Sequence, residues 1–186
     1  MTASPGRIVI LNGVGSAGKS TIARQMQTVA RRPLLHVEMD SFLDMLPPAC
    51  FGSPEGLVFE SVPGRSPPEI AIHSGPVVLR LLAGMREAVA ALARASNDLI
   101  FDDAILDGGP RAYEAAFAGL TVHWVGVLVA LDIAEARERA RGDREIGLAR
   151  WQHERVHGGM AYDLTVDSGT HTALACAETI CRAFDL

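Results

Sequence analysis

One residue type in this chain occurs once, at the place where its chemistry matters most. Of the 17 lysine plus arginine residues, 16 are arginine and the exception is Lys19. It lies in Gly13-Val14-Gly15-Ser16-Ala17-Gly18-Lys19-Ser20-Thr21, which satisfies G-x-x-x-x-G-K-[ST], the phosphate-binding P-loop pattern. Glycines in such a loop let consecutive backbone N–H groups turn inward around phosphate oxygens. A lysine then reaches the β- and γ-phosphates, and the following hydroxyl holds Mg²⁺. Arginine is a planar fork and lysine a compact point charge, so the two are not equivalent in this cradle. Gly13, Gly15, Ser16, Ala17, Gly18, Lys19, Ser20 and Thr21 are therefore the candidate nucleotide-binding residues, with Lys19 also catalytic and Ser20 a metal ligand. A shuffled chain of this composition produces the pattern roughly once in a thousand tries.

Two acidic sites follow apolar runs, where open α/β sheets place their ligands. Asp40 follows Leu35-His36-Val37-Glu38-Met39. Its carboxylate could accept a proton from an attacking hydroxyl, or it could cap a short helix beginning at Asp40-Ser41-Phe42-Leu43; the residues alone leave both open. Asp102-Asp103 follows Leu99-Ile100-Phe101, the position at which an acidic residue orders Mg²⁺. Strand alternation sends neighbouring side chains to opposite faces. Asp102 is assigned to the metal side and Asp103 to the substrate side.

The basic segment Ala136-Arg137-Glu138-Arg139-Ala140-Arg141-Gly142-Asp143-Arg144 places Arg137, Arg141 and Arg144 at i, i+4 and i+7 on one helical face. A cationic face closing over a transferring phosphate stabilises its charge, and an Arg-rich lid is expected over about 136–150. Arg137 is assigned to the nucleotide, Arg141 and Arg144 to the transferring group, Arg139 to an ion pair with Glu135, and Gly142 to a helix interruption. The competing reading is a solvated charged helix.

His153-Glu154-Arg155-Val156-His157 fits H-E-x-x-H, a zinc-hydrolase helix. Chance yields that pattern about once in a hundred shuffles, and Gly158-Gly159 ends any helix at once. Its third ligand would be Glu178, on an outer helix, and His153 is read instead as an exposed helix residue. Guanine-specific switches read their base with N-K-x-D, and no second lysine exists to make one. ATP is the expected nucleotide.

The elements that must position these groups alternate between apolar runs and helical patterns, which implies parallel strands with crossover helices. Strands are expected at 7–11, 34–38, 98–102, 121–129 and 162–166. Helices are expected at about 19–31, 76–95, 110–118, 132–142, 145–156 and 171–184, with Pro76 in a first turn and Asp132 and Glu135 as a capping box. The expected fold class is α/β: a five-stranded parallel sheet with helices on both faces in one domain over 1–186. Residues 47–73 break the rhythm with six of the ten prolines. They read either as a substrate-covering loop, which Phe51, Leu57, Val58 and Phe59 support, or as an excursion that contacts nothing.

Composition bounds the class. At 186 residues and 48% apolar the chain can bury a sizeable core. A net charge of −5 argues against a nucleic-acid partner, and no run approaches the ~20 apolar residues of a membrane span. Three cysteines without a C-x-x-C pair, and no apolar leader at the N-terminus, suit a reduced cytoplasm. A homo-oligomer is compatible with the sequence.

These motifs together resemble the chloramphenicol phosphotransferase-like proteins, P-loop kinases related in fold to shikimate and adenylate kinases. The resemblance is carried by Ile8-Val9-Ile10-Leu11-Asn12-Gly13 with Ser16-Ala17-Gly18-Lys19-Ser20, and by Asp40-Ser41-Phe42. It continues in Ile100-Phe101-Asp102-Asp103, Trp124-Val125-Gly126-Val127 and Arg141-Gly142-Asp143-Arg144, then in Val156-His157, Tyr162-Asp163 and Val166-Asp167. It implies that Asp40 is the general base for a primary hydroxyl, that Arg141 and Arg144 sit at the transferring phosphate, and that Val156-His157 has no connection with zinc. Asp40, Ser41, Phe42 and Asp103 become the candidate substrate contacts. Similarity lapses over 47–73, the region that supplies part of the family's acceptor contacts. The expected activity is ATP- and Mg²⁺-dependent phosphorylation of a small hydroxylated molecule, with the 3-hydroxyl of chloramphenicol or a similar antibiotic first. The alternatives are a kinase of a sugar acid, nucleoside or other metabolite, and a nucleotide-binding regulator without turnover.

Overall fold

Five short runs rich in Val, Ile and Leu pair side by side in the computed structural model, which describes residues 4–106, 111–142 and 145–186. They are β1 (Arg7–Asn12), β2 (Leu34–Glu38), β5 (Asp98–Asp103), β6 (Thr121–Leu128) and β7 (Leu164–Asp167), parallel throughout in the order β2-β5-β1-β6-β7. Both faces are covered, which is why the inner strands read as continuous apolar runs. Val9, Leu11, Ile100, Val125 and Val127 pack on one side with Ile22 and Met26 of α1 (Lys19–Val29) and Ile180 of α7 (Ala173–Ala183). Ile8, Ile10, Leu99 and Phe101 pack on the other with Met85 and Val89 of α3 (Pro76–Arg94) and with Tyr113 of α4 (Arg111–Glu114). Pro76 opens α3 as expected. No helix among the described residues is long and apolar enough to cross a membrane.

The 47–73 segment departs from the sequence expectation. It contains a 3-10 turn at Pro48–Cys50 and most of an antiparallel hairpin, β3 (Leu57–Ser61) with β4 (Ile70–Ser74). Its prolines 63, 67 and 68 lie in the hairpin connection, where no ladder N–H is needed. Proline density therefore marked the turn and hid the two β-branched runs beside it. Leu57 packs with Leu46 and with Val78 of α3, so this segment is anchored to the body of the protein.

The hairpin also meets α6 (Leu148–His153), where Ile70 N donates to Gly147 O at 3.1 Å. Gly147 has φ 105, and a Cβ there would lie 2.5 Å from Pro68 O, so only glycine fits this approach. Glu138 of α5 (Leu131–Arg141), 2% exposed, accepts from Gly147 N at 2.8 Å and Ala149 N at 2.6 Å. It supplies the start of α6 with a carboxylate cap from another helix. Glu138→Ala leaves two buried amides unbonded and is expected to cost ~2 kcal/mol, a fall in Tm of roughly 4–8 °C in a thermal melt.

Two local expectations fail nearby. The cap of α5 is Ala130, and Asp132 falls in the first turn. Glu135 is drawn away from both a capping box and Arg139 because its carboxylate pairs with Arg150 at 2.6 Å. The helix expected at 110–118 shortens to Arg111–Glu114, and that at 145–156 to Leu148–His153. α5 stops at Gly142, as its sequence suggests.

Candidate active site

The glycine loop connects the buried end of β1 to the start of α1. Gly13 must be glycine, because a Cβ there would meet Val127 O at 2.6 Å. Ala17 N closes the turn onto Val14 O at 3.1 Å, and the loop amides precede the N-terminus of α1, an arrangement suited to anions. Lys19 is the first residue of α1; its Nζ donates to Gly13 O at 2.9 Å and Val14 O at 3.1 Å. Ser20 Oγ donates to Asp102 Oδ2 at 2.6 Å, and Lys19 Nζ stands 3.8 Å from Asp102 Oδ1. Burial alone would raise the Asp102 carboxyl. The Lys19 charge, His36 and the Ser20 hydroxyl outweigh it and hold the group below the usual carboxylate range.

Alternation separates the two aspartates as the sequence indicates. Asp102 is on the P-loop face, and Asp103 turns to the face of Tyr113, whose hydroxyl donates to its Oδ2, while Ala104 N donates to Oδ1 at 2.7 Å. Asp103 is 3% exposed and reaches only the margin of the cleft. Burial, against the Tyr113 and Ala104 bonds, pushes its pKa up to about 6. A carboxyl raised in the folded state binds its proton earlier than in the unfolded chain. The stability it contributes is full below pH 3.8 and is lost as pH rises through about 6. Asp103→Asn, which stays neutral, is therefore expected to gain on wild type by about 3 kcal/mol between pH below 4 and pH above 6. Paired urea titrations at the two pH values check this; a parallel pH response of both proteins would disprove it.

Asp40, Arg137 and Arg141 line, together with the P-loop, a cleft of about 780 Å³. α2 (Met39–Leu43) has Glu38 at its cap position, so Asp40 falls in the first turn instead of capping the helix, with its side chain at the cleft wall. Ser41 is exposed, and Phe42 packs against the core beneath α3. Arg137 donates to Ser168 O at 2.8 Å, to Ser168 Oγ at 3.2 Å and to Ala17 O at 3.5 Å, joining α5 to the loop after β7 and to the P-loop. Arg141 lies one turn on and lines the cleft. Arg144, with Asp143, lies outside the described residues. Thr21 is exposed at the cleft rim.

Several residues enter the site without a signal in the sequence reading. Gln152 Oε1 accepts from Gly15 N at 2.8 Å, so α6 braces the P-loop directly. Ser168 Oγ donates to Ala17 O at 2.6 Å. Asn12, fully buried, donates from Nδ2 to Val156 O and Tyr162 Oη, each at 2.7 Å, and accepts from Ile105 N at 2.8 Å. His36 stands beside Asp102, its Nε2 3.7 Å from Oδ2; the alternation in His36-Val37-Glu38 was the one pattern that could have exposed it.

The H-E-x-x-H alternative stays set aside, and the expectation of an exposed His153 is corrected, because its ring is part-buried against the end of β6. α6 ends at His153, whose part-buried ring meets Val129 O at 3.0 Å, and His157 Nδ1 meets Tyr162 Oη at 2.7 Å. Each histidine is engaged separately, and burial lowers the His157 pKa. Glu178 is exposed on α7.

The residues present fit a nucleotide with a divalent cation: a cradle with no room for side chains, one lysine, and a serine hydroxyl bonded to a buried carboxylate. A family model described as chloramphenicol phosphotransferase-like protein matches residues 6–185. A Mycobacterium tuberculosis (strain H37Rv) protein named "Putative O-phosphotransferase" is 30% identical over 173 residues, spanning 88% of this chain and 75% of that protein. Its counterpart in strain CDC 1551 matches to the same extent. Among solved structures, the APS kinase CysC of Mycobacterium tuberculosis, in complex with AMPPNP and APS, superposes with TM-score 0.69 at 13% identity, covering 99% of this chain and 100% of that one. An unliganded sugar kinase from Janibacter sp. HTCC2649 superposes with TM-score 0.66 at 19% identity, covering 97% and 95%. At these identities the two structures speak for the fold alone.

Proposed function

The chain belongs to the family of chloramphenicol phosphotransferase-like proteins and is a phosphotransferase, and we propose that it moves the γ-phosphoryl group of ATP to a hydroxyl of a small molecule. The observation that carries this reading is the cleft itself, which Lys19, Ser20 and Asp40 line together. In the reaction the acceptor oxygen bonds to the γ-phosphorus as the bond to the bridging β–γ oxygen breaks. The hydroxyl proton passes to Asp40, and ADP leaves. Lys19 and the loop amides hold the phosphates, Arg137 holds the nucleotide side, and Arg141 and Arg144 neutralise the charge on the group in flight. Ser20 and Asp102 would hold Mg²⁺, whose contribution is to offset phosphate charge.

Chloramphenicol, or a similar non-ionic antibiotic, is the first acceptor to test. The support for this acceptor is the family to which the chain belongs. Cys50, Cys176 and Cys181 are free thiols, in keeping with a reducing compartment such as the cytoplasm. The test is transfer from γ-labelled ATP to a panel containing chloramphenicol, nucleosides, sugar acids and simple sugars. Phosphorylation of the chloramphenicol hydroxyl is the expected outcome. Turnover of a sugar acid or nucleoside alone would replace the acceptor, and failure to bind ATP with Mg²⁺ would overturn the kinase reading.

A further inference from the structure

Three side chains beside the phosphate loop form a grouping that phosphate binding does not require. His36 and Glu38 lie two residues apart on β2 and so share a face, and Glu38 pairs in register with Asp102 of β5. His36 Nε2 stands 3.6 Å from Glu38 Oε1 and 3.7 Å from Asp102 Oδ2. Both separations are too long for a hydrogen bond. The imidazole is only 9% exposed, and its Nε2 is buried with no hydrogen-bond partner. A buried ring nitrogen aimed at two carboxylates, bonded to neither, is unfavourable unless something stands between them.

The spacing fits an ion. Donors held about 2.1 Å from one cation stand roughly 3.0 Å apart at octahedral angles and roughly 3.4 Å apart at tetrahedral angles. The histidine stands 3.6 and 3.7 Å from the carboxylates and all three donors lie within 4.8 Å of one another, so the side chains must draw together to hold one. Among the described residues this is the one group of His, Cys, Asp and Glu whose ligand atoms lie within 4.8 Å of one another. Competing cations leave room. Lys19 faces the other oxygen of Asp102, Oδ1, at 3.8 Å, and Arg24, 3.7 Å from Glu38, is 67% exposed and can turn to solvent.

We propose that His36, Glu38 and Asp102 bind a first-row divalent transition cation, of the Mn²⁺ to Zn²⁺ series, without nucleotide and ahead of Mg²⁺. The two carboxylates supply charge that any divalent ion would accept. The imidazole supplies the discrimination, because nitrogen donors suit borderline transition ions and contribute little to Mg²⁺. Ser20 Oγ, 2.6 Å from Asp102 Oδ2, puts the ion at the edge of the phosphate loop. Occupancy needs neither ATP nor an acceptor, although Asp102 is shared with the Mg²⁺ position of the kinase reading.

The test is a Mn²⁺ titration of the nucleotide-free full chain, with free Mn²⁺ read from its EPR signal. One equivalent binds, bound Mn²⁺ carries the ¹⁴N modulation of an imidazole ligand, and Mg²⁺ displaces it only at tenfold or higher concentration. His36→Gln and Glu38→Gln each weaken binding at least tenfold, and His36→Gln removes the ¹⁴N signal. Absence of that signal in wild type, unchanged affinity in Glu38→Gln, or Mg²⁺ competing at equal concentration overturns the proposal in favour of an imidazolium resting between two carboxylates. If His36→Gln does not fold, the wild-type ¹⁴N signal and Glu38→Gln decide the matter. Metal binding without ATP turnover would remove the kinase reading and leave this one standing.

Discussion

Asp40→Asn is expected to lower turnover by ~10²–10⁴-fold while ATP affinity stays within about threefold of wild type. The substitution keeps the volume and one oxygen of the side chain and removes only the ability to take a proton. Its place in the cleft is what recommends this carboxylate as the proposed base. Asp102 is bonded to Ser20 and lies beside Lys19, on the phosphate side. Asp103 has both oxygens engaged, by Ala104 N and the Tyr113 hydroxyl. Glu38 lies beside His36 and Arg24. Asp40 lines the same cleft as Lys19, from the first turn of α2. The pH profile gives an independent check. Were Asp103 the base, activity would rise with a pKa of about 6 and Asp103→Asn would abolish it. With Asp40 as base, Asp103→Asn retains most of its turnover. Full turnover by Asp40→Asn would refute the assignment.

What could be seen in the sequence divides along physical lines. The five strands of the sheet were visible because both of its faces are covered, which forces apolar runs such as Ile8-Val9-Ile10-Leu11 and Leu99-Ile100-Phe101 that no helix or loop here imitates. The separation of Asp102 from Asp103 followed from alternation, since a strand has no other way to place neighbours. The hairpin was hidden because Pro63, Pro67 and Pro68 dominate the composition of a segment whose strands are only five residues each. Glu138 carried no assigned role within the basic segment, yet it is buried, because the partner that rewards its burial is a pair of backbone amides on another element. Gln152 carries no charge and belongs to no motif, so its bond to Gly15 N becomes visible only when α6 is placed against the loop. His36 is one of six histidines, and its neighbours across the sheet are 64 or more positions away in sequence apart from Glu38. Side chains with a one-dimensional pattern were legible; those whose partners arrive from another element were not.

Lys19→Met is expected to weaken ATP binding and turnover together, with kcat/KM falling ~10³-fold or more. The lysine charge does two jobs. It is the single lysine at the loop, with Nζ held by Gly13 O and Val14 O within reach of the cradle, and it is the largest influence holding down the pKa of the buried Asp102 against burial. With the charge gone, Asp102 loses its opposing partner, its pKa rises, and the Ser20–Asp102 pair is less able to hold Mg²⁺ near neutral pH. The loss in Lys19→Met should therefore be worse at pH 6 than at pH 8, because protonation of Asp102 adds to the missing charge. Lys19→Arg separates charge from shape. It restores the cation beside Asp102, but a planar guanidinium cannot nest against the two loop carbonyls as an ammonium does. The arginine variant is expected to recover the pH dependence of wild type and still lose at least ~10²-fold in kcat/KM. Isothermal titration with ATP and Mg²⁺ at the two pH values, followed by kinetics on the identified acceptor, gives both quantities. Equal activity of Lys19→Arg and wild type would mean that charge alone is used at this position, and that a chain so rich in arginine keeps its one lysine for some other reason.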